Sequence, residues 1–377
     1  MNPWKRSLAV LALSLPVWAA TQAGPSEAAA LEQQGKWAEA AQIWRAIAQQ
    51  NPKDAGALAS LGVDLSRSSK FSEAAAAYRR ALALKPNLPG IELNLGLAEF
   101  KQGRFQQAIP AFRAALADDP ENVQARTLLG LSCYGAHRFT DAARYLRPLA
   151  KSDPTNAELH QVLAQSCLRA KEYDCALEEY RQLVQQDPNS AATHILIGEA
   201  LDGLRRTQEA IAEFEEAAKA SPREPDVHFG LGYLHWELHQ YGDAKAEFEK
   251  ELSLNPTHAQ ALAYLGDIAM RENRPGQALE FLRRAVENKK DLRIAYIDMG
   301  AILADQKKYD EAIAVLKRAE QLDATQPDAH YRLGRVYQAT GNPAAAQREF
   351  ARVRELHEKK DEGLVQKMSA GPPALHP

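Results

Sequence analysis

Histidines recur at a fixed spacing in this sequence and are the first residues that could carry chemistry. His160, His194 and His228 follow one another at intervals of 34 residues, and His330 lies three such intervals further on. Imidazole rings bind zinc and titrate near neutral pH, so the ladder suggests metal binding or pH sensing. Zinc, however, needs its ligands about 2 Å from one centre, whereas packed helices hold neighbouring rings about 10 Å apart. We therefore expect these four rings to occupy packing positions.

A second pair of histidines, His235 and His239, flanks Trp236 at a spacing of four residues. Two histidines at this spacing can share one face of a helix, but a metal ion also needs a carboxylate or thiol to complete its set of three or four ligands. No such partner lies in register, so we expect no metal and no other cofactor. A metal-dependent enzyme or metal-binding protein that uses these two rings is the alternative interpretation.

The chain has three cysteines, Cys133, Cys167 and Cys175. The first two lie 34 residues apart, and the third follows Cys167 after one short turn between predicted helices. An oxidising compartment would permit a disulfide between Cys167 and Cys175. Disulfide geometry is demanding, and three buried free thiols are the alternative.

Known catalytic motifs are missing from the sequence. There is no G-x-S-x-G, no P-loop, no H-E-x-x-H and no C-x-x-C. The formal net charge is -3, whereas nucleic-acid binding draws on basic patches and a basic overall charge. We therefore expect a protein that is not an enzyme and that does not bind nucleic acid.

A period of 34 residues positions all of these side chains. Small residues recur at its eighth position: Gly62, Gly96, Gly130, Ala164, Gly198, Gly232, Gly266, Gly300 and Gly334. Alanine recurs at its twentieth position: Ala74, Ala108, Ala142, Ala176, Ala210, Ala244, Ala278, Ala312 and Ala346. Proline recurs in the same register from Pro52 to Pro256, and Lys290 and Ala324 then take its place. Such a period is the mark of a repeat array.

Each repeat is predicted to form two amphipathic helices. In the repeat that starts at Ala55, leucines share one face of a first helix, and Phe71 and Tyr78 lie on one face of a second. Gly62 would cost about 1 kcal/mol in the helix interior relative to alanine, so we expect it to let the second helix approach closely at Ala74. The prolines cannot continue a helix and predict where each pair ends. One pair cannot bury its apolar face alone, so the repeats must stack.

With these residues and a terminal proline, the repeat resembles the tetratricopeptide repeat. The resemblance covers ten repeats that start at residues 21, 55, 89, 123, 157, 191, 225, 259, 293 and 327. It implies an all-α fold, an α-solenoid in which antiparallel helix pairs form a right-handed superhelix, and one elongated domain over residues 24–360. The first repeat is atypical, because Glu27 and Ala28 stand where leucine and glycine are usual. The family also implies a concave groove, lined by the first helices, that binds peptides or proteins.

The groove positions of the first helices provide the candidate binding residues. They are Leu93, Leu97, Phe100, Tyr134, Phe229, Tyr233 and Trp236. The last three form one helical stripe, while His228, Leu231, Gly232 and His235 are expected to supply the core face of the same helix. Packing of the stripe between neighbouring first helices, against Ile195 or Ala263, is the alternative. One subset of the family grips a C-terminal carboxylate with lysine, asparagine and arginine in the groove, and repeats two to four lack those residues.

The two ends of the chain lie outside the repeats. Residues 1–23 combine Lys5 and Arg6 with a short apolar run and small residues up to Ala23, as in a cleaved secretory signal peptide. The run is shorter than the roughly 20 residues that span a bilayer. Residues 361–377 are expected to form a disordered tail.

Together these features predict an exported protein-binding scaffold or adaptor. We expect it to lie in the periplasm or to be secreted, to bind peptides or proteins of the envelope or exterior, and to have no stable membrane insertion once mature. A membrane-tethered assembly factor that keeps residues 1–23 is a further alternative.

Overall fold

A computed structural model describes residues 24–369, with side chains through residue 362. Over this range the chain forms twenty α-helices and no strand. The helices are α1 Pro25–Gln33, α2 Trp37–Gln50, α3 Ala55–Arg67, α4 Phe71–Leu84, α5 Ile91–Phe100, α6 Phe105–Asp118, α7 Val123–Gly135, α8 Phe139–Ser152, α9 Ala157–Arg169, α10 Tyr173–Gln186, α11 Ala191–Gly203, α12 Thr207–Ala220, α13 Val227–Glu237, α14 Tyr241–Leu254, α15 Ala259–Arg271, α16 Pro275–Asn288, α17 Arg293–Asp305, α18 Tyr309–Leu322, α19 Pro327–Ala339 and α20 Pro343–Ser369. The predicted signal peptide lies outside the described residues.

The twenty helices form ten pairs, one for each predicted repeat, which confirms the all-α solenoid. They fall into two compact units that meet in sequence between Gln186 and Asp187. We call helices α1–α10 the N-terminal unit and α11–α20 the C-terminal unit. Within each unit, the two helices of a repeat pack together, and the second helix packs on the first helix of the next repeat. Neither helix of a pair can therefore bury its apolar face without its neighbours.

The turn between the two helices of each repeat depends on one residue in the left-handed conformation. It always occupies position 15 of the repeat: Gly35, Ser69, Gly103, His137, Lys171, Arg205, His239, Asn273, Lys307 and Gly341. Outside these turns, positive φ occurs among the described residues at Gly90 and Asp226, each of which precedes a shortened first helix. The tight turn brings the two helices of a pair together as an antiparallel hairpin.

The glycine at position 8 faces a different partner from the one that the sequence suggested. A Cβ atom on Gly232 would lie 2.7 Å from Cδ1 of Phe248, so the ring at position 24 fills the space that the glycine leaves. The alanine at position 20 is nearby but not nearest, since the closest Ala278 atom to a Cβ on Gly266 is its carbonyl oxygen, at 3.4 Å. The prediction of a close approach at the glycine is thus confirmed. The group that approaches the glycine is a large side chain of the second helix.

The ends of the helices follow the repeat even where its proline is missing. Helix α4 ends two residues before Pro86, as the sequence predicts, and α16 and α18 end at the same register before Lys290 and Ala324. Where the proline is missing, packing against the first helix of the next repeat therefore determines where the helix ends. At the C-terminus, α20 continues to Ser369, well into the segment expected to be a disordered tail; the rest of that tail lies outside the described residues.

Candidate functional site

The aromatic stripe of α13 lies beside the core of the C-terminal unit. The buried side of α13 is formed by Val227, Leu231, Gly232 and Leu234. Leu234 is buried instead of the predicted His235, which is only half-buried. Position 10 of the repeat, which Leu234 occupies, is buried in every repeat from the second to the tenth. Phe229, Tyr233 and Trp236 are also half-buried. Each of the three has one side against the protein and one side open.

Tyr264 of α15 organises these three rings. Its ring centroid lies 6.0 Å from that of Phe229, 5.9 Å from that of Tyr233 and 5.1 Å from that of Trp236. It also stacks on the core ring of Phe248, with centroids 5.3 Å apart. Edge-to-face and offset arrangements at these distances stabilise aromatic clusters. The stripe therefore packs between neighbouring first helices, as the alternative interpretation held, but its main contact is Tyr264.

Polar atoms fix the orientation of the stripe. Nε1 of Trp236 donates to Oδ2 of Asp267 at 2.7 Å, and the hydroxyl of Tyr233 donates to Oε1 of Glu237 at 2.9 Å. Burial and the Glu237 carboxylate raise the pKa of Tyr233 well above its ordinary value, so the phenol stays a donor at all physiological pH. These hydrogen bonds hold the two rings in one orientation.

Two clefts open on either side of this stripe. The first cleft has a volume of about 370 Å³ and is bounded by Trp236, Tyr264, Asp267, Ile294 and Asp298. Its rim includes Ile294, a large apolar side chain that is 51% exposed. A volume of this size lies at the lower end of the range for ligand pockets.

The second cleft has a volume of about 350 Å³ and lies one repeat nearer the N-terminus. It is bounded by Glu199, Asp202, Asp226, Phe229 and Tyr233. Both clefts share Gln260 in their walls. The two clefts thus form one continuous face along the first helices of repeats six to nine.

Carboxylates in the clefts are poorly compensated. Burial raises the pKa of Asp298 to about 6, with Asp267 and Asp328 adding to the rise and Arg332 opposing it. Burial, together with the neighbouring Glu237, also raises the pKa of Asp202. A buried carboxylate whose pKa is raised gains most from a cation that comes close to it.

Sequence reasoning missed several of these residues. Tyr264 and Asp298 both occupy position 6 of their repeats, whereas the predicted groove residues occupy positions 5, 9 and 12. Glu199 and Asp202 do occupy positions 9 and 12, but the sequence prediction considered apolar side chains and a basic carboxylate clamp there and not acidic residues. A tally of carboxylates at positions 9 and 12 would have found Glu199 and Asp202, but not Tyr264 or Asp298.

The predicted groove residues of the N-terminal unit are packed beside the core in a similar way. Leu93, Leu97, Phe100 and Tyr134 are half-buried and pack against the cluster that contains Phe112. The hydroxyl of Tyr134 also donates to Oε1 of the next repeat's Gln165 at 2.6 Å. These residues join neighbouring repeats.

Beside them, a cleft of about 300 Å³ opens between α7 and α9. It is lined in part by Val123, Thr127, Leu131 and Val162. Val123 is 63% exposed. Its wall also includes Asp153 and Glu158.

The four recurrent histidines each pair with a glutamate in the second helix of the same repeat. Nδ1 lies 2.7 Å from Oε2 in the pairs His194–Glu213, His228–Glu247 and His330–Glu349, and His160 contacts Glu179 in the same way. The rings therefore do pack between the paired helices, as expected. The sequence prediction omitted the carboxylate that each ring bonds.

The surroundings of His194 shift its pKa in two opposite directions. Burial lowers its pKa, but the hydrogen bond that Nδ1 donates to Glu213, the one that Nε2 donates to the carbonyl of Pro188, and the charges of Glu213 and Glu216 outweigh burial, so the pKa is raised on balance. Protonation therefore strengthens this pair under mildly acidic conditions.

His235 and His239 do not share a helical face. Helix α13 ends at Glu237, and His239 is the left-handed residue of the following turn, with φ of 61°. Nδ1 of His235 lies 2.7 Å from Oε1 of Gln240, and Nδ1 of His239 lies 2.9 Å from the Tyr241 hydroxyl. The alternative of a metal site at these two histidines required both rings to share one helical face, and that requirement is not met.

Cys167 and Cys175 are joined by a disulfide, with Cα atoms 5.8 Å apart, and we call it the hairpin disulfide. Cys133 is a buried free thiol, and burial raises its pKa to about 11. Glu172 lies beside the disulfide, where its Oε2 accepts from Arg147 at 2.6 Å. Because the two sulfur atoms are bonded to each other, the group formed by Cys167, Glu172 and Cys175 is structural.

One other cluster has the composition of a cation site. Asp226, Glu251 and His258 offer ligand atoms within 4.8 Å of one another. However, Nδ1 of His258 accepts from the backbone N–H of Ala261 at 3.1 Å, so the ring proton lies on Nε2 and points at Oδ1 of Asp226, 3.0 Å away. The ring has no free lone pair for a metal, and the cluster instead caps α15.

Comparisons with known proteins agree with this architecture. The family model described as TPR repeat matches residues 67–103 and 300–341, and two described as tetratricopeptide repeat match 99–166, 133–200 and 167–228, and 328–359. A model of anaphase-promoting complex, cyclosome, subunit 3 matches residues 237–319. No curated protein matches the chain in sequence. The chain is an α-solenoid of helix hairpins, and the hairpins are tetratricopeptide repeats.

Solved structures are similar in fold. The APC/C hetero-tetramer Cut9–Hcn1 matches with a TM-score of 0.50 and 15% identity over 88% of this chain and 80% of that one. Yeast Tom70 matches with a TM-score of 0.43 and 14% identity over 93% and 96%. YrrB, described as a TPR protein with an unusual peptide-binding site, matches with a TM-score of 0.42 and 23% identity over 51% and 100%. At these identities the likeness shows the fold alone.

Within residues 24–369, no helix combines the length and the apolar character that crossing a bilayer requires.

Proposed function

We propose that this chain is an exported, non-enzymatic scaffold that binds segments of other proteins along the first helices of its repeats. The observation that carries the proposal is the first cleft of the C-terminal unit. There, Trp236 and Tyr264 form a preorganised aromatic wall, and Ile294 leaves apolar surface exposed at the rim. Aromatic anchors in a desolvated pocket dominate the energy of protein interfaces.

The site offers recognition surface rather than catalytic machinery. Its carboxylates lie beside rings and aliphatic side chains, and within the described residues no nucleophile and base pair lines either cleft. The tetratricopeptide fold supports the same reading by analogy, since this architecture presents extended surfaces to partner chains.

Export is the second part of the proposal. It rests on the basic start, the short apolar run and the small residues of positions 1–23, and on the hairpin disulfide, which persists in oxidising compartments. The partners are accordingly proteins of the envelope or exterior. Intact-mass measurement of the protein recovered from the periplasm or medium of an expressing bacterium tests this: a mature chain should start within a few residues of Gly24. A mass that retains residues 1–23 would instead support the membrane-tethered alternative.

Binding is tested by replacing the exposed rim residue rather than the packed rings. Ile294→Ser should weaken binding of partner peptides selected from a random peptide display against the mature chain, without lowering the melting temperature by more than a few degrees. Leu254→Ser is the matched control, because Leu254 is similarly exposed at 41% but lines neither cleft. Equal affinity of wild type and Ile294→Ser for every selected peptide would place binding elsewhere.

The double replacement Tyr233→Ala and Trp236→Ala addresses the stripe itself. Because both rings contact Tyr264, we expect this variant to lose stability as well as binding. A loss of binding in this double variant can therefore be assigned to the cleft only if Ile294→Ser also weakens binding.

A further inference from the structure

The two clefts of the C-terminal unit differ from ordinary groove surface in their charge. Among the residues that line them, acidic side chains are numerous and neither lysine nor arginine occurs. They comprise Asp267 and Asp298 in the first cleft and Glu199, Asp202 and Asp226 in the second. Such a surface attracts cations and repels acidic segments.

One carboxylate in each cleft forms no ion pair within 4 Å in the described part of the chain, although Arg332 acts on Asp298 and Arg205 acts on Asp202 from further away. Asp298 is half-buried in the first cleft, and no described residue forms a hydrogen bond or ion pair with it. In the second cleft, Oδ1 of Asp202 is buried without a hydrogen-bond partner among the described residues. By contrast, Asp267 and Asp226 are engaged, by Arg271 at 2.7 Å and by His258 at 3.0 Å. Asp298 and Asp202 are therefore the groups that gain most from an added cation.

The protein itself shows how a guanidinium binds at this wall. The Arg271 guanidinium carbon lies 5.8 Å from the ring centroid of Trp236, and Nε of the same side chain donates to Oδ2 of Asp267 at 2.7 Å. A flat cation is thus held by a carboxylate and an aromatic face together. The same combination is open to a ligand at Asp298 beside Tyr264 and at Asp202 beside Tyr233.

We propose that the two clefts bind two arginine side chains of one extended segment of a partner protein, three residues apart in its sequence. The clefts are offset by one repeat, which corresponds to about 10 Å between neighbouring first helices. A polyproline II segment advances about 3.1 Å per residue with three residues per turn, so residues i and i+3 point the same way about 9 Å apart. This inference rests on the proposed function and adds the chemistry of its ligand.

Fluorescein-labelled peptides of twelve residues, with both ends blocked, test the proposal by anisotropy against the full mature chain. An Arg-x-x-Arg peptide should bind at least tenfold more tightly than the same peptide with Glu-x-x-Glu, and more tightly than Arg-x-Arg. The difference should shrink as salt is raised, since partly exposed charge pairs are screened. Equal affinity for the arginine and glutamate peptides would overturn the proposal.

Variants of the two carboxylates locate the binding. Asp298→Asn and Asp202→Asn should each weaken the Arg-x-x-Arg peptide about tenfold, and Asp298→Glu should restore most of the affinity. Asp243→Asn is the matched control, because it removes one negative charge from an exposed position of α14 outside both clefts. Removing a buried charge does not threaten folding, and unchanged circular dichroism melts will verify this. Equal losses in the control and the cleft variants would reduce the effect to net charge and reject the site.

Failure of this inference can be told from failure of the proposed function. If glutamate or uncharged peptides bind as well as Arg-x-x-Arg, and Ile294→Ser still weakens them, the groove binds peptides but its cation preference is wrong. If no peptide binds and Ile294→Ser changes no selected ligand, both proposals fail.

Discussion

Asp64 is expected to make the N-terminal end of the array less stable as pH rises. It is fully buried in α3, at a position where the other repeats carry Ala30, Ala98, Ser132, Ser166, Ala200, Leu234, Ile268, Ile302 and Val336. Neither of its carboxylate oxygens accepts a hydrogen bond from a described residue. Burial, followed by the neighbouring Glu32 carboxylate, raises its pKa from 3.8 to about 7. When protonated, Asp64 can donate to Glu32, which already accepts from Trp44 Nε1 at 2.9 Å.

The sign and size of the effect follow from proton binding. Between pH 4 and 7 the folded state keeps a proton on Asp64 that the unfolded state has lost, so stability falls as pH rises through this window. A shift of about three pH units corresponds to about 4 kcal/mol, since each unit is worth about 1.4 kcal/mol. Asp64→Asn cannot ionise and should abolish the dependence. At pH 8 it should be more stable than the wild type by up to this amount.

Hydrogen exchange followed by mass spectrometry at pH 5 and pH 8, corrected for the intrinsic exchange rate, is the appropriate assay. Neighbouring repeats couple mainly to each other, so faster exchange at pH 8 should appear in α1–α3 and not in α7, where Ser132 holds the equivalent position. Corrected rates in α1–α3 that do not differ between the two pH values would refute the reasoning. So would an Asp64→Asn variant that keeps the wild-type dependence.

Three further outcomes are expected. Gly232→Leu should cost about 1 to 3 kcal/mol by overpacking against the ring that fills its space, whereas Gly242→Leu, where a Cβ atom meets nothing within 4 Å, should cost far less in a urea melt. Glu213→Gln should lower stability at pH 5.5 and leave it nearly unchanged at pH 8.5, because the raised pKa of His194 gives a contribution that is present below the unfolded pKa and lost as pH rises through the folded one; an equal loss at both pH values would contradict this. Reduction of the hairpin disulfide, which closes a separation of 8 residues, should destabilise its repeat by about 2 to 3 kcal/mol in local hydrogen exchange, and no change on reduction would show that the bond constrains nothing.

The sequence was sufficient to predict the fold because each repeated residue has one physical task. Glycine at position 8 indicates that another helix packs closely against it, and each proline indicates where a helix ends. The ten hairpins and most of their boundaries could therefore be predicted from these residues. Which neighbour approaches Gly232 did not follow, because Ala244 and Phe248 lie one turn apart on the same helical face and the pattern does not separate them. The groove was predicted in part, since Trp236 and Tyr233 occupy its positions, but Tyr264 and Asp298 occupy a neighbouring position whose exposure depends on how successive first helices are rotated.

The histidine ladder shows what a single sequence could still have yielded. All four repeats with histidine at position 4 have glutamate 19 residues later, at the positions of Glu179, Glu213, Glu247 and Glu349. The six other repeats have neither, because residues such as Leu58 and Ala77 or Leu262 and Phe281 occupy the two positions. Co-occurrence of this kind among ten copies indicates contact, just as covariation between homologues does. The structure supplies the reason: a half-buried imidazole with no acceptor would leave an unpaired N–H in the hairpin, a cost of about 1 to 3 kcal/mol. Histidine and glutamate therefore occur in a repeat together or not at all. Replacing both by leucine and alanine, as in the repeat of Leu58, should cost less stability than replacing either the glutamate or the histidine alone.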